Sequence, residues 1–161
     1  MNNKTFYIII AIVLAASILF WGFIFQDRPV FETEVSEDEI IITMFHGEGC
    51  MCCVRWAEYL EEKGFTVVDE LVDDLHKIKR EKGIPGQLSS CHTAIVDGYV
   101  VEGHVPAEDI LRLLSERPEA TGISVPGMPP NAPGMDAPIT REYQTILFDG
   151  EGNITVFATH Q

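Results

Sequence analysis

Three of the four cysteines lie in one short segment, and their spacing suits two kinds of thiol chemistry. Cys50, Cys52 and Cys53 lie within four residues, flanked by Gly47 and Gly49. Cys50 and Cys53 form a C-x-x-C pair, the pattern of dithiol redox sites. A predicted helix starts at this point, and the free N–H groups and dipole of a helix N-terminus stabilise thiolates. The segment is therefore predicted to act as a disulfide exchanger or as a soft-metal ligand set.

Alternating strands and helices are predicted to position these cysteines. The helices are marked by apolar residues at helical spacing, the strands by β-branched runs, and Asp97-Gly98 by its two-residue hairpin signal. The predicted strands are 40–45, 65–68, 93–96 and 99–101, and the predicted helices are 51–63, a short one carrying Leu75 and Ile78, and one opening at Pro106 and ending at Arg117-Pro118. The resulting order, β-α-β-α-β-β-α, is that of the thioredoxin fold, an α/β mixed sheet flanked by helices.

The remainder of the chain follows this core, which we assign to residues 40–118. Residues 122–138 are rich in proline, glycine and methionine and are predicted to form a loop. Residues 143–148 and 154–159 are predicted to form a C-terminal β-hairpin around Asp149-Gly150. Residues 119–161 are expected to complete the same domain.

The fourth cysteine, Cys91, is followed by His92 at the start of the third predicted strand. Counted back from the Asp97-Gly98 hairpin, His92 takes the place where thioredoxin-like proteins usually carry a cis-proline facing the C-x-x-C loop. We therefore expect Cys91 and His92 to come within reach of the three loop cysteines.

Several sequence stretches resemble the DUF411 family, which includes the CopG-type copper-resistance proteins of bacterial periplasms. The resemblance runs from about residue 40 to 160, and its most specific parts are the C-x-C-C segment, S-C-H-T-A-x-V-x-G-Y-x-x-E-G-H-V-P and the repeated P-G-M. It implies a thioredoxin-like fold that binds copper. The copper ligands it implies are Cys50, Cys52, Cys53, Cys91 and His92. His46-Gly47-Glu48-Gly49 departs from the family's usual approach to the first cysteine, which leaves a ligand role for His46 open.

The third loop cysteine favours a metal centre over an exchanger. Exchange needs one attacking and one resolving thiol, which Cys50 and Cys53 supply, so Cys52 is surplus. Cys52 is unsuited to bond Cys53, because adjacent Cα atoms lie about 3.8 Å apart, below the roughly 4.4–6.8 Å usual for disulfides. A metal site accounts for the additional thiol and for an imidazole at the proline position. A membrane-tethered thiol–disulfide oxidoreductase using Cys50 and Cys53 is the alternative function.

Thiolates select Cu(I), zinc or iron–sulfur centres. Side chains of neighbouring residues leave the backbone in different directions, so Cys52 and Cys53 are poorly placed to chelate one ion. Chelation of one ion by both would strain the loop, whereas thiolates that bridge several Cu(I) ions would not. We therefore predict a small multinuclear Cu(I) centre with His92 as nitrogen ligand. Cycling to Cu(II) is a possible extension of this role. A structural zinc module that docks a partner, with a Cys₃His site, is a further alternative.

Three more residues are candidate copper ligands: His104, before the last predicted helix, and Met128 and Met135, in the flexible loop. Thioethers suit Cu(I), although methionine also fills apolar gaps. The sequence carries no Ser/His/Asp arrangement, phosphate loop or carboxylate pair that we would defend, so no enzyme substrate is predicted.

Residues 5–25 are uncharged and predict a transmembrane helix. About 21 residues at 1.5 Å each span roughly 31 Å, which matches a bilayer core of about 30 Å. A cleaved signal peptide is the alternative, but the small residues Ala15-Ala16-Ser17 lie mid-run rather than after it. We assign 1–26 as a membrane anchor and 27–39 as an acidic linker. The positive-inside bias of Lys4 favours a cytoplasmic N-terminus, which predicts that the domain lies on the periplasmic or extracytoplasmic side of a bacterial cytoplasmic membrane.

Composition limits the partners. The chain of 161 residues has 11 lysines and arginines against 25 acidic residues, for a net charge of −14. This field repels phosphate backbones and argues against a nucleic-acid partner. It gives no comparable argument against a metal cation. The cysteine motif, the DUF411 resemblance and the predicted anchor together imply copper ions, the membrane and other copper-handling proteins as partners.

Overall fold

The computed structural model describes residues 39–135 and 137–161. The predicted anchor and all of the predicted linker except Glu39 lie outside these residues. Within the described part of the chain, no helix combines the length and apolar character that crossing a bilayer requires.

A mixed seven-stranded sheet organises the described residues, and three α-helices accompany it. The strands are β1 (Ile40–His46), β2 (Phe65–Leu71), β3 (His92–Val96), β4 (Tyr99–Glu102), β5 (Gly122–Ser124), β6 (Tyr143–Phe148) and β7 (Ile154–His160). The helices are α1 (Met51–Glu62), α2 (Leu75–Glu81) and α3 (Ala107–Glu116), and a short 3-10 helix covers Gly86–Leu88. The mixed α/β prediction and the order from β1 to α3 are confirmed. The assignment of that order to the thioredoxin fold stays a prediction.

The order of strands across the sheet places the end of β1 next to the start of β3. It is β2-β1-β3-β4-β5-β6-β7, with β1 parallel to β2 and antiparallel to β3. In the β1–β3 pair His46, the last residue of β1, lies opposite His92, the first residue of β3. The loop that leaves β1 toward α1 therefore lies beside the segment that enters β3.

Helix α1 packs on the core through one face, as its spacing predicted. Its buried residues are Cys53, Trp56, Ala57 and Leu60. The helix ends where Gly64 adopts a φ of +90°, a left-handed conformation that glycine takes without steric cost. Cys53 thus faces the interior, whereas Met51 is exposed.

One predicted loop contains a strand. Residues 122–138 were expected to be irregular throughout, but Gly122–Ser124 forms β5, which is parallel to β4 and antiparallel to β6. The expectation was wrong because three residues are too few to show alternation, and the pairing depends on partners distant in sequence. Ile123 is fully buried. Strand β5 thereby joins the predicted C-terminal hairpin, β6 and β7, to the core sheet.

Glycine at position 122 is required by the close approach of β4. A Cβ added there would overlap the carbonyl oxygen of Val100 and lie 2.7 Å from its carbonyl carbon. We predict that Gly122→Ala lowers the free energy of unfolding by about 1–3 kcal/mol, as overpacking does. Urea denaturation measures this change.

The matched control is Gly150→Ala. A Cβ at Gly150 meets only the hydroxyl of Thr121, at 3.9 Å, an ordinary contact. This variant should stay within about 0.5 kcal/mol of the wild type. Equal stability of the two variants would contradict the tight β4–β5 approach.

Candidate metal centre

The structure brings the four cysteine sulfurs together. The Sγ atoms of Cys50, Cys52, Cys53 and Cys91 all lie within 4.8 Å of one another. The Sγ of Cys52 is 3.6 Å from that of Cys50 and 3.9 Å from that of Cys91. Two stretches about 40 residues apart in sequence thus contribute to one sulfur cluster, as the strand pairing requires.

The loop between β1 and α1 presents the first three sulfurs. Gly49 has a φ of +79°, and its carbonyl accepts a hydrogen bond from the N–H of Met51 at 2.9 Å, which turns the chain into the helix. Cys50 then occupies the N-cap position of α1 without using its side chain as a cap. Its sulfur therefore lies at the positive end of the helix, where a thiolate would be stabilised once the sulfur is reduced.

Two of the loop cysteines are oxidised in this structure. Cys50 and Cys53 form a disulfide with their Cα atoms 5.3 Å apart. Cys52 and Cys91 remain thiols. Two electrons and two protons would convert the disulfide into two thiols at the same place, so the number of sulfur ligands depends on the redox state.

A second group of donor atoms shares Cys91. The side chains of Cys91, His92 and His104 each offer a ligand atom within 4.8 Å of the others. The Sγ of Cys91 is 3.4 Å from Nδ1 of His92 and 3.0 Å from Nε2 of His104. Cys91 therefore lies between the sulfur cluster and a histidine pair, and these six residues are here called the Cys/His cluster.

The hydrogen bonds of His104 fix its tautomer. Its Nδ1 is 2.7 Å from the carbonyl oxygen of Pro133, which can only accept. Nδ1 therefore carries the proton, and Nε2 has a free lone pair directed at Cys91. Burial lowers the pKa of His104, while the bond to Pro133 partly opposes this. The ring is thus neutral near pH 7 and able to act as a ligand.

His92 is enclosed completely. It is 0% exposed, and its ring centroid lies 4.3 Å from that of Trp56 and 5.1 Å from that of His104. Its Nε2 has no hydrogen-bond partner among the described residues. Burial lowers the pKa of His92 well below its ordinary value, and the nearby charges of His104 and Lys79 act in the same direction. A buried polar atom without a partner is costly, and a metal ion would satisfy it.

Cys91 is protonated in the absence of metal. Burial, followed by the neighbouring Cys52, raises the pKa of the Cys91 thiol to about 12. A metal ion that binds its sulfur must therefore displace a proton. The sulfur and imidazole donors of the Cys/His cluster suit a soft cation.

The chain is similar to known proteins in both sequence and structure. The DUF411 family model, described as a protein of unknown function, matches residues 88–135. A solved structure named copper resistance protein copG, form 2, is 38% identical, with a TM-score of 0.74, and the match covers 77% of this chain and all of that one. The chain belongs to the DUF411 family. Form 1 of the same protein is 39% identical, with a TM-score of 0.73 and coverage of 76% and 98%. No curated protein matches the chain.

The two candidate methionines of this DUF411 protein lie on a loop that packs against the site. Gly127, before Met128, accepts a hydrogen bond from the hydroxyl of Ser90 through its carbonyl. Gly134, before Met135, has no room for a Cβ, which would lie 2.6 Å from the backbone nitrogen of Trp56. Met128 itself is 58% exposed. Ligand roles for Met128 and Met135 stay predictions.

His46 is engaged elsewhere. Its Nδ1 donates to the carbonyl of Gly47 at 2.8 Å, and its Nε2 is 2.7 Å from a carboxylate oxygen of Asp69. Both ring nitrogens thus face oxygen acceptors, and His46 lies outside the Cys/His cluster. Sequence reasoning missed the carbonyl of Pro133, which orients His104, because any residue can supply a carbonyl.

The buried histidines predict how the metal-free protein responds to acid. Because the pKa of His92 is lowered on folding, the unfolded state takes up a proton below about pH 6.5 that the folded state does not. Stability should therefore fall as the pH drops from 6.5 to 5, by roughly 1 kcal/mol per pH unit for this group. Urea denaturation at several pH values should show a shallower fall for His92→Asn.

The exposed His76 on α2 offers the control, and His76→Asn should keep the wild-type slope. The same slope in His92→Asn and the wild type would refute a neutral, buried His92.

Proposed function

We propose that this protein binds copper as Cu(I) in the Cys/His cluster and serves copper handling or resistance. The observation that carries the proposal is the convergence of four sulfurs within 4.8 Å beside two buried imidazoles. Thiolate sulfur is a soft ligand that favours Cu(I), and imidazole also suits copper. The similar solved structures are named as a copper resistance protein, which supports the same metal.

A multinuclear centre agrees with the number of donors. Six residues contribute to the two overlapping groups, and Cys91 belongs to both. A tetrahedral zinc ion takes four ligands, so a single zinc would leave donors unused. Bridging thiolates let several Cu(I) ions share the sulfurs, and we therefore favour a small copper cluster over the structural zinc module. Cycling between Cu(I) and Cu(II) extends this proposal.

The residues of the chain prepare the site for such ions. The helix N-terminus at Cys50 favours deprotonated sulfur, and the apolar surroundings of His92 keep its ring neutral. Metal binding to Cys91 would displace its single thiol proton, and the positive charge of the bound ions would offset the repulsion between neighbouring thiolates. Full loading requires an external thiol reductant, which supplies two electrons and two protons to the Cys50–Cys53 disulfide and is itself oxidised to a disulfide, because a disulfide sulfur is a poor ligand.

The proposed location is the periplasmic side of a bacterial cytoplasmic membrane, with residues 1–26 as a single-pass anchor. Support comes from the sequence alone: the uncharged run of 5–25 and the acidic residues that follow it. Other copper-handling proteins in that compartment are the proposed partners.

Thiol–disulfide exchange is the second candidate function. The specific observation in its favour is the disulfide between Cys50 and Cys53 in the loop before α1. Cys52 and Cys91 have no part in such an exchange, which needs two thiols only. The two functions can therefore be separated by single substitutions.

We predict that the reduced full chain takes up more than one Cu(I) per molecule in an anaerobic titration against a chromophoric chelator. Cys52→Ser should lower this number, because it removes a sulfur that lies between Cys50 and Cys91. The same variant should keep the wild-type rate of insulin disulfide reduction, whatever that rate is. Cys50→Ser is the matched control, since it removes both a copper ligand and the exchanging pair.

Three results would count against the copper proposal. One Cu(I) per molecule would contradict the multinuclear cluster. Failure of the protein to take Cu(I) from the chelator would contradict Cu(I) binding itself. Rapid insulin reduction that is lost in Cys50→Ser, with copper uptake unchanged in Cys52→Ser, would favour the oxidoreductase.

A further inference from the structure

A buried ion pair lies behind the Cys/His cluster. Lys79 on α2 is 5% exposed and Glu102 on β4 is 0% exposed, and the ammonium group of Lys79 contacts a carboxylate oxygen of Glu102. Charged side chains are rarely buried so completely, because desolvation opposes it, and a buried pair is weak evidence for stability. The pair therefore calls for another explanation.

The carboxylate of Glu102 holds both ends of the segment that carries Cys91 and His92. Its Oε1 accepts a hydrogen bond from the backbone N–H of Ser90 at 2.6 Å. Its Oε2 accepts one from the hydroxyl of Thr93 at 2.7 Å. Ser90 and Thr93 immediately flank the two cluster residues, so one side chain fixes the segment at two points.

Lys79 completes this network. Its Nζ donates to the hydroxyl oxygen of Thr93 at 3.1 Å in addition to its contact with Glu102. The hydroxyl of Thr93 thus accepts from Lys79 and donates to Glu102. Each polar group faces a partner of the opposite hydrogen-bonding type, which makes the network rigid.

The same segment is fixed to His104 through the backbone. Gly103, between Glu102 and His104, donates its N–H to the carbonyl of His92 at 3.1 Å. A Cβ on Gly103 would lie 2.5 Å from Cβ of Ser90, so the two segments are in direct contact. The distance between Cys91 and His104 is therefore set by how Glu102 and Gly103 hold Ser90–Thr93.

We propose that Glu102 is a positioning residue of the metal centre: by accepting hydrogen bonds from Ser90 and Thr93, it sets Cys91 and His92 against His104. This inference rests on the proposed copper function. Glu102 contacts no donor atom of the cluster through its side chain. It acts through the hydrogen bonds that it accepts from the backbone N–H of Ser90 and the hydroxyl of Thr93.

Two uncharged double variants separate positioning from ion pairing. Lys79→Met with Glu102→Gln removes both charges but keeps an amide oxygen that can accept from the Ser90 N–H. Lys79→Met with Glu102→Leu removes both charges and the acceptor. Neither variant contains a buried unpaired charge, so a difference in Cu(I) affinity between them reports on the hydrogen bonds that residue 102 makes to Ser90 and Thr93.

Cu(I) affinity is measured on the full chain by chelator competition, after urea denaturation has shown that each variant folds. We expect the Glu102→Gln double variant to bind within about threefold of the wild type and the Glu102→Leu one at least about tenfold more weakly, as is usual for groups that orient metal ligands. Amide hydrogen exchange of the metal-free proteins should show the Ser90 N–H protected in the Glu102→Gln double variant and unprotected in the Glu102→Leu one.

Equal Cu(I) affinity and equal Ser90 protection in the two double variants would overturn the inference. If the leucine variant does not fold, Thr93→Val takes its place. This near-isosteric change suits a strand and removes one of the two hydrogen bonds that Glu102 accepts from the segment Ser90–Thr93, together with the hydroxyl that accepts from Lys79. Weaker Cu(I) binding by Thr93→Val supports the inference, and unchanged binding overturns it. A wild type that binds no Cu(I) defeats the proposed function instead, and the Ser90 exchange then decides the positioning role by itself.

Discussion

The antiparallel pairing of β1 with β3 is the constraint on which the site depends. Because His46 lies opposite His92, the end of one strand and the beginning of the other share an edge of the sheet. The loop with three cysteines and the segment with the fourth are consequently forced together. A shift of this register by two residues would move Cys91 by roughly 7 Å and take its sulfur out of the cluster.

The second constraint is that polar groups are held in an apolar interior. His92 packs against Trp56, and His104 is equally buried, so both imidazoles are kept neutral where a water-exposed histidine would be partly charged. The free Nε2 of His92 and the high pKa of Cys91 are unfavourable features of the metal-free protein. A folded protein keeps such features when a ligand relieves them, and a soft cation relieves both.

Much of this arrangement follows from local sequence. The spacing of Cys53, Trp56 and Leu60 predicted α1 and its buried face, and Asp97-Gly98 predicted the β3–β4 hairpin. The approach of Cys91 to the loop was predicted from the position of His92 before that hairpin. These inferences succeed because each depends on residues close together in the chain.

The sequence could not reveal interactions that depend on distant partners. Strand β5 is too short to show a pattern, and its place between β4 and β6 depends on pairing alone. The carbonyl of Pro133 orients His104 from about 30 residues away, without any side-chain signature. The C-x-x-C spacing indicates that Cys50 and Cys53 can form a disulfide, but spacing does not set the redox state of the pair.

Copper X-ray absorption on the Cu(I)-loaded wild type and Cys91→Ser tests the central claim most directly. If sulfur from both stretches binds the metal, the wild type shows mainly sulfur neighbours, a nitrogen contribution and a copper–copper distance, and Cys91→Ser loses sulfur and alters the copper–copper signal. Identical spectra from the two proteins would contradict the account, because Cys91 would then take no part in the centre.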